Sequence, residues 1–177
     1  QVGQKVAVIG AGGIGFDVGE YLLQERSLTV EPDAWLRHWG IDKAYQTAGA
    51  LTDVEHEEPL REIYLLQRKT SKVGAGLGKT SGWIHRTSLK NHGVKRLNGV
   101  SYDRIDDEGL RITVNDKPQT LDVDNVIICA GQEPLRQLEG ELAQLGVPIH
   151  VIGGAFVAAE LDAKAAIRQG AELANTI

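Results

Sequence analysis

The run Lys5-Val6-Ala7-Val8-Ile9-Gly10-Ala11-Gly12-Gly13-Ile14-Gly15 constrains this chain more than any other stretch. Four apolar residues make a short buried strand, and a G-x-G-x-x-G pattern follows without a gap. Val18, Tyr21, Leu22 and Leu23 then supply the apolar face of a helix. Each glycine has a task in such a strand–turn–helix unit. Gly10 permits the sharp turn, Gly12 lets a pyrophosphate approach the backbone with no Cβ in the way, and Gly15 lets the helix pack closely on the strand. The first helical residues, Gly13 and Ile14, offer unpaired N–H groups and a partial positive charge to phosphates. The plainer alternative is a tight turn with no ligand.

The chain has 177 residues, enough for one domain with a real core, or one domain and a fragment of another. Its 42% hydrophobic and 24% charged content suit a globular protein, and no apolar run approaches a membrane span. No signal peptide is expected ahead of the first strand, so the expected location is cytoplasmic, with no membrane partner. A net charge of −5 argues against a nucleic-acid partner, whose phosphates demand clustered positive charge. The single cysteine, Cys129, lies in an apolar run and reads as a small buried hydrophobe. One cysteine excludes a disulfide framework or a cysteine-ligated metal within this chain.

Further along, residues 27–59 fit no simple crossover. Pro32 and Asp33 start a helix that Gly40 stops, and 51–59 form an acidic surface loop. Ile63 to Gln67 reads as a buried strand, 72–82 as a glycine-rich loop, and 82–92 as a short helix ending near Gly93. Alternation over 94–123, with turns at 107–109 and 115–117, predicts two or three antiparallel strands. Val126 to Ala130 returns as a buried parallel strand. A further strand is expected over 147–152, and a closing helix over 156–174. The expected fold is α/β, a Rossmann-like three-layer ββα dinucleotide-binding fold with a parallel sheet and an inserted antiparallel meander.

The kind of nucleotide depends on what ends the second strand. An acidic residue there holds the ribose hydroxyls of NAD, whereas a basic one accommodates the 2′-phosphate of NADP. If the strand is Leu28-Thr29-Val30, Glu31 is that residue. If it is Ile63 to Gln67, then about 27–60 is an insertion, and Arg68 and Lys69 face the phosphate. The second strand is the longer one, which favours NADPH. A solvated charge pair at a strand end is the alternative for Arg68 and Lys69.

Four blocks carry a family resemblance: Gly10 to Asp17, Leu66-Gln67-Arg68-Lys69, Gly76 to Arg86, and Cys129-Ala130-Gly131-Gln132-Glu133-Pro134. With Gly153-Gly154 and Glu160-Leu161-Asp162-Ala163-Lys164, they resemble the bacterial NADPH-dependent 2,4-dienoyl-CoA reductases over essentially the whole chain. The resemblance implies a parent with an FMN barrel, a [4Fe–4S] cluster, and an FAD domain interrupted by an NADPH domain. On that reading 1–133 is the NADPH-binding domain and 134–177 the last segment of an incomplete FAD domain. The remaining domains of the parent would be its partners, and the fragment alone would be catalytically silent.

The resemblance assigns Gly10, Gly12, Gly13, Ile14, Gly15 and Gly131 to the NADPH site, with Arg68 and Lys69 on the 2′-phosphate. Trp83 and Arg86 would stack on or pair with the nucleotide. The alternative for them is a packed aromatic and a solvated cation on a short helix. Gly154, Leu161, Asp162 and Ala163 would lie along the flavin, against the alternative of an amphipathic core helix with Asp162 in solvent. No catalytic acid or base is expected. A second reading is a structural module holding ADP without redox work, as in amine dehydrogenases of the same group; a third is another enone reductase.

Several features fit nothing further. Gly78-Lys79-Thr80 imitates a Walker A ending, but Val73 stands where that motif needs glycine. His38, His56, His85, His92 and His150 show no metal-ligand spacing, and no metal site is expected. Trp35 and Trp39, at i and i+4, are expected to pack together. Asp17 is expected in the first helical turns, where its charge suits the dipole.

Overall fold

The computed structural model describes residues 1–55, 57–159 and 161–177; His56 and Glu160 lie outside the described residues. The chain divides into two compact units, Gln1–Ala130 and Gly131–Ile177.

The first unit is built on a parallel sheet. Strands β1 (Lys5–Ile9), β2 (Glu62–Leu66), β3 (Lys95–Leu97) and β7 (Asn125–Ile128) lie in the order β3-β2-β1-β7. The central pair is in register with Val6 beside Ile63 and Val8 beside Leu65. Alternate residues point to opposite faces of a strand, and both faces here are covered, so the central strands are apolar beyond their first residues, Lys5 and Glu62, with Tyr64 half-buried. On one face Val6, Val8, Ile63 and Leu65 bury against Phe16, Leu22 and Leu23 of α1 (Gly13–Leu23) and Leu89 of α3 (Gly82–Asn91). On the other, Ala7 and Leu66 meet Val100, Leu110, Ile112 and Leu121. Those four belong to the antiparallel meander β4 (Val100–Asp106), β5 (Gly109–Val114) and β6 (Lys117–Leu121). Asn115 and Asp116 both take positive φ in the β5–β6 turn, the two-residue hairpin geometry that favours these residue types. The result is the expected three-layer ββα arrangement of helices, parallel sheet and meander.

The structure departs from the sequence reading at definite places. Leu28–Val30 forms a single 3-10 turn rather than a strand, with the Ser27 hydroxyl accepting from the Thr29 N–H. Pro32 then opens α2 (Pro32–His38), which leaves no room for strand pairing. Glu31 therefore ends no strand and pairs with Arg26, so it does not hold the ribose-binding place at a strand end. Lys95–Leu97, read with the meander, joins the parallel sheet beside β2. Tyr21 is 77% exposed, outside the buried face of α1. Asp17 falls beyond the first turn of α1, which carries no acidic residue. Strand β7 is half-buried rather than buried, and Ile128 is exposed, because β7 is the sheet edge.

The second unit holds α4 (Gln137–Ala143), a 3-10 turn at Gly153–Ala155, and α5 (Ala163–Ala174). The strand expected over 147–152 does not form. A strand needs a neighbour for its N–H and C=O groups, Pro148 has no N–H, and no other strand lies among the described residues of this unit. The closing helix starts at Ala163, not at 156, because Asp162 caps it: its Oδ1 accepts the Ala165 N–H at 2.7 Å. Among the described residues, none of this unit is buried.

Candidate functional site: a glycine-lined cleft at the strand ends

The turn after β1 is fixed from both sides. The Gly10 N–H donates to the Leu66 carbonyl at 2.9 Å, and the Cys129 N–H donates to the Ile9 carbonyl at 2.7 Å. Gly10 has φ +113°, and a Cβ there would lie 2.5 Å from the Cys129 carbonyl oxygen. A Cβ on Gly15 would lie 1.7 Å from the Gly10 carbonyl oxygen. These two glycines are therefore demanded by the fold itself. Gly12 and Gly13 differ, since a Cβ on either would meet no protein atom within 4 Å. Gly12 is the N-cap of α1 and makes no side-chain cap, so the first-turn N–H groups have no partner from that side chain. A helix start with no cap and no nearby carboxylate is a place for an anion.

Across the turn, the segment after β2 is held by side-chain amides. Gln67 Nε2 donates to the carbonyls of Lys69 (2.9 Å) and Ser71 (2.6 Å). Asn98 Nδ2 donates to the Thr70 carbonyl at 2.6 Å, and the Gly99 N–H to the Lys69 carbonyl at 3.0 Å. Thus Arg68 and Lys69 are exposed side chains on a fixed backbone.

The two halves enclose a cleft of about 310 Å³, bordered by Gly10, Gly12, Arg68, Lys69, Gly76 and Tyr102. Half-buried Tyr102 reaches it from the meander; burial pushes its phenol above the usual value, against the pull of the Arg68 charge. Cys129, read as a buried hydrophobe, is half-buried and borders the same cleft. Burial pushes its thiol up as well, which keeps it protonated and unreactive. Gln67, Ser71, Ala75, Gly76, Tyr102 and Cys129 are cleft residues that sequence reasoning did not assign. The glycine-rich loop was the available signal for Gly76.

Other expected site residues lie elsewhere. Arg86 Nη1 donates to the Gly74 carbonyl at 2.9 Å, tying the glycine-rich loop to α3. Trp83 is 55% exposed at the start of α3. Neither borders the cleft. Gly131 follows Ala130 directly, with φ +85°. In the second unit, a Cβ on Gly154 would come no nearer than 3.8 Å, to Leu161 Cδ2. Asp162 is committed to capping α5, Ala163 is the first residue of that helix, and these residues enclose no site by themselves. Among the described residues no metal-binding cluster forms, and no helix is long and apolar enough to cross a membrane.

The family model described as pyridine nucleotide-disulphide oxidoreductase matches residues 1–165. The chain belongs to that family. Pyridine nucleotide-disulphide oxidoreductases work with nicotinamide and flavin cofactors, and the cleft fits the first of these. Its uncapped helix start suits a pyrophosphate, and its width at Gly12 is the space a Cβ would fill. Among solved structures, 2-naphthoyl-CoA reductase in complex with 2-naphthoyl-CoA matches 96% of this chain at 19% identity and a TM-score of 0.62. Histamine dehydrogenase from Rhizobium sp. 4-9 matches 98% at 14% identity, also with a TM-score of 0.62. At these identities the likeness is one of fold. The chain spans 20% and 23% of the length of those two proteins.

Proposed function

We propose that the chain is the NADPH-binding, hydride-donating part of a larger flavoprotein that reduces 2,4-dienoyl-CoA thioesters in the β-oxidation of unsaturated fatty acids. The observation that carries the nucleotide choice is the pair Arg68 and Lys69 beside the glycine turn, on a loop fixed by Gln67 and Asn98. A guanidinium and an ammonium at that point complement the extra phosphate of NADPH, and a nucleotide lacking it gains much less from them. For the same reason the pair disfavours a module that merely holds ADP.

Within this reading the chain binds and orients. Gly12, Gly13 and Ile14 present backbone to the pyrophosphate, Arg68 and Lys69 take the 2′-phosphate, and Tyr102 walls the cleft. Bound NADPH supplies a hydride at its nicotinamide C4, and no proton-transferring side chain is needed. Residues 134–177 are assigned to the end of an FAD domain, with Gly154, Leu161, Asp162 and Ala163 along the flavin. Support comes from apolar side chains left uncovered there, including Leu135 (71% exposed), Leu145 (67%) and Ile167 (72%). FMN and a [4Fe–4S] cluster belong to this proposal only as groups of the remaining domains, together with a cytoplasmic location.

The test is a calorimetric titration of the chain with NADPH, NADH and ADP. We expect NADPH to bind tightest, and Arg68→Ala with Lys69→Ala to weaken NADPH about 100-fold while changing NADH less than about threefold, consistent with two charge-assisted contacts. Equal losses for both nucleotides would refute the phosphate assignment.

A further inference from the structure

A second cavity lies in the same unit on the helix face, bordered by residues that do not border the nucleotide cleft. It encloses about 180 Å³ where α2, from the segment 27–60, meets α1 and α3. An apolar cavity of about 150 Å³ is enough to take up benzene, so this one has room for a single ring with a short substituent.

Its walls define what such a ring should carry. Trp35 and Trp39 form one side, their ring centroids 6.2 Å apart and tilted by 50°. Leu23 and Ile84 supply aliphatic surface. Among the described residues the only acidic group on its walls is Glu20, whose side chain is 24% exposed and whose two oxygens lie 3.1 and 3.2 Å from His85 Nδ1. Among the described residues no lysine or arginine borders the cavity, while the imidazoles of His38, His85 and His92 do. When these imidazoles are neutral, a half-buried carboxylate beside aromatic faces complements a positive charge. Indole faces attract a cation through the ring quadrupole, and a carboxylate accepts a charge-assisted hydrogen bond from an ammonium.

We propose that this cavity, formed by Glu20, Trp35, Trp39, Ile84 and His85, is a binding site for a small amine cation bearing one ring. The ammonium would donate to Glu20 while the ring lies against Trp35 and Trp39. His85 Nδ1, within reach of both carboxylate oxygens, helps hold Glu20 in place at the cavity wall. The site is independent of the nucleotide assignment, since it shares no residue with the nucleotide cleft. Helix α1 connects the two: its N-cap, Gly12, borders the cleft, and its last turns, with Glu20 and Leu23, border the cavity.

The experiment titrates the chain with benzylammonium, benzyl alcohol and benzoate at about pH 8, where an ordinary imidazole is neutral. Intrinsic fluorescence reports directly, because two of the three tryptophans border the cavity. Ligand-observed NMR provides a second readout. Benzylammonium is expected to bind at least about tenfold tighter than either other probe, and Glu20→Gln to remove that advantage. Ile84→Phe, which fills the cavity and leaves the carboxylate untouched, should weaken benzylammonium about tenfold or more. It keeps the test decisive if Glu20→Gln fails to fold. The proposal is overturned by no binding of benzylammonium, by equal binding of benzyl alcohol or benzoate, or by an affinity that Ile84→Phe leaves unchanged.

Discussion

Two glycines three residues apart should respond to the same substitution in opposite ways. Gly15→Ala places a methyl group 1.7 Å from the Gly10 carbonyl oxygen, where an ordinary contact needs more than about 3 Å. Either α1 or the turn must then move by more than about 1 Å. Overpacking of this kind costs about 1–3 kcal/mol, and this clash is with backbone, which yields less than a side chain. Alanine gains about 1 kcal/mol in helix propensity over glycine, too little to offset the clash. With the backbone clash at the upper end of that range the net loss is about 2 kcal/mol, which corresponds to a drop of about 6 °C in the melting midpoint for a domain of this size. Gly12→Ala meets no protein atom within 4 Å, and its φ of −84° with ψ of −172° is open to alanine. It loses only about 0.5–1 kcal/mol for a poorer N-cap, yet its methyl group stands where the pyrophosphate would approach. The assay is urea unfolding of both variants, paired with an NADPH titration of Gly12→Ala. A Gly15→Ala protein as stable as its parent, or more so, would show that helix propensity outweighs the close approach and would refute the reasoning. A Gly12→Ala protein with unchanged NADPH affinity would remove Gly12 from the site.

Two further outcomes concern stability alone. Arg61 donates through Nε to the Gly3 carbonyl at 3.1 Å and through Nη1 to the Leu22 carbonyl at 3.0 Å, tying the lead into β1 to the end of α1. Arg61→Ala should cost about 2 kcal/mol in urea unfolding with an unchanged slope; a loss below about 0.5 kcal/mol would contradict this. Acid should weaken the first unit. The Thr47 N–H and its neighbours hold the Asp42 carboxyl below its usual value, Lys95 and Tyr64 do so for Glu62, and Arg111 for Asp106. Groups with depressed folded-state values contribute stability that is complete above the ordinary carboxylate range and lost as pH falls through the folded values, so the urea midpoint should fall below about pH 4. Asp42→Asn should flatten part of that fall, and a midpoint that holds or rises in acid would count against all three assignments.

What the sequence made legible was local. The alternation of β1 and β2, the glycine spacing and the two-residue turn at Asn115 and Asp116 each state their geometry within a few residues, and the three-layer fold follows from them. What it hid depends on distant partners. Residues 147–152 carry a strand pattern, but a strand exists only beside another, and the described residues of this unit form none. Leu28-Thr29-Val30 competed with Ile63 to Gln67 on composition, and the choice falls out only when β2 is seen paired on both sides. Asn98 reaches the Thr70 carbonyl across 28 residues, a link that no local pattern records. Tyr102 reaches the cleft because it alternates with Val100 on the β4 face packed toward the parallel sheet, and what that face meets is fixed only by the tertiary arrangement.

The two arginines expected at the nucleotide site illustrate the same limit in chemical terms. Sequence treats Arg68 and Arg86 alike, as cations in blocks shared with a family of reductases. The structure separates them by what each guanidinium has already bonded. Arg86 Nη1 is committed to the Gly74 carbonyl, and a Cβ on Gly74 would lie 3.2 Å from the Arg86 stem, so the side chain is built into the packing beneath the glycine-rich loop. Removing it would loosen that loop before it touched any ligand. Arg68 forms no ion pair among the described residues and is exposed at the cleft, while its backbone is fixed through Gln67. A cation that must break an existing hydrogen bond to meet a phosphate loses much of the gain, whereas one held ready on a fixed loop keeps it. On the function proposed above, Arg68 is therefore the arginine that would select between nucleotides, whereas Arg86 shapes the loop beside them.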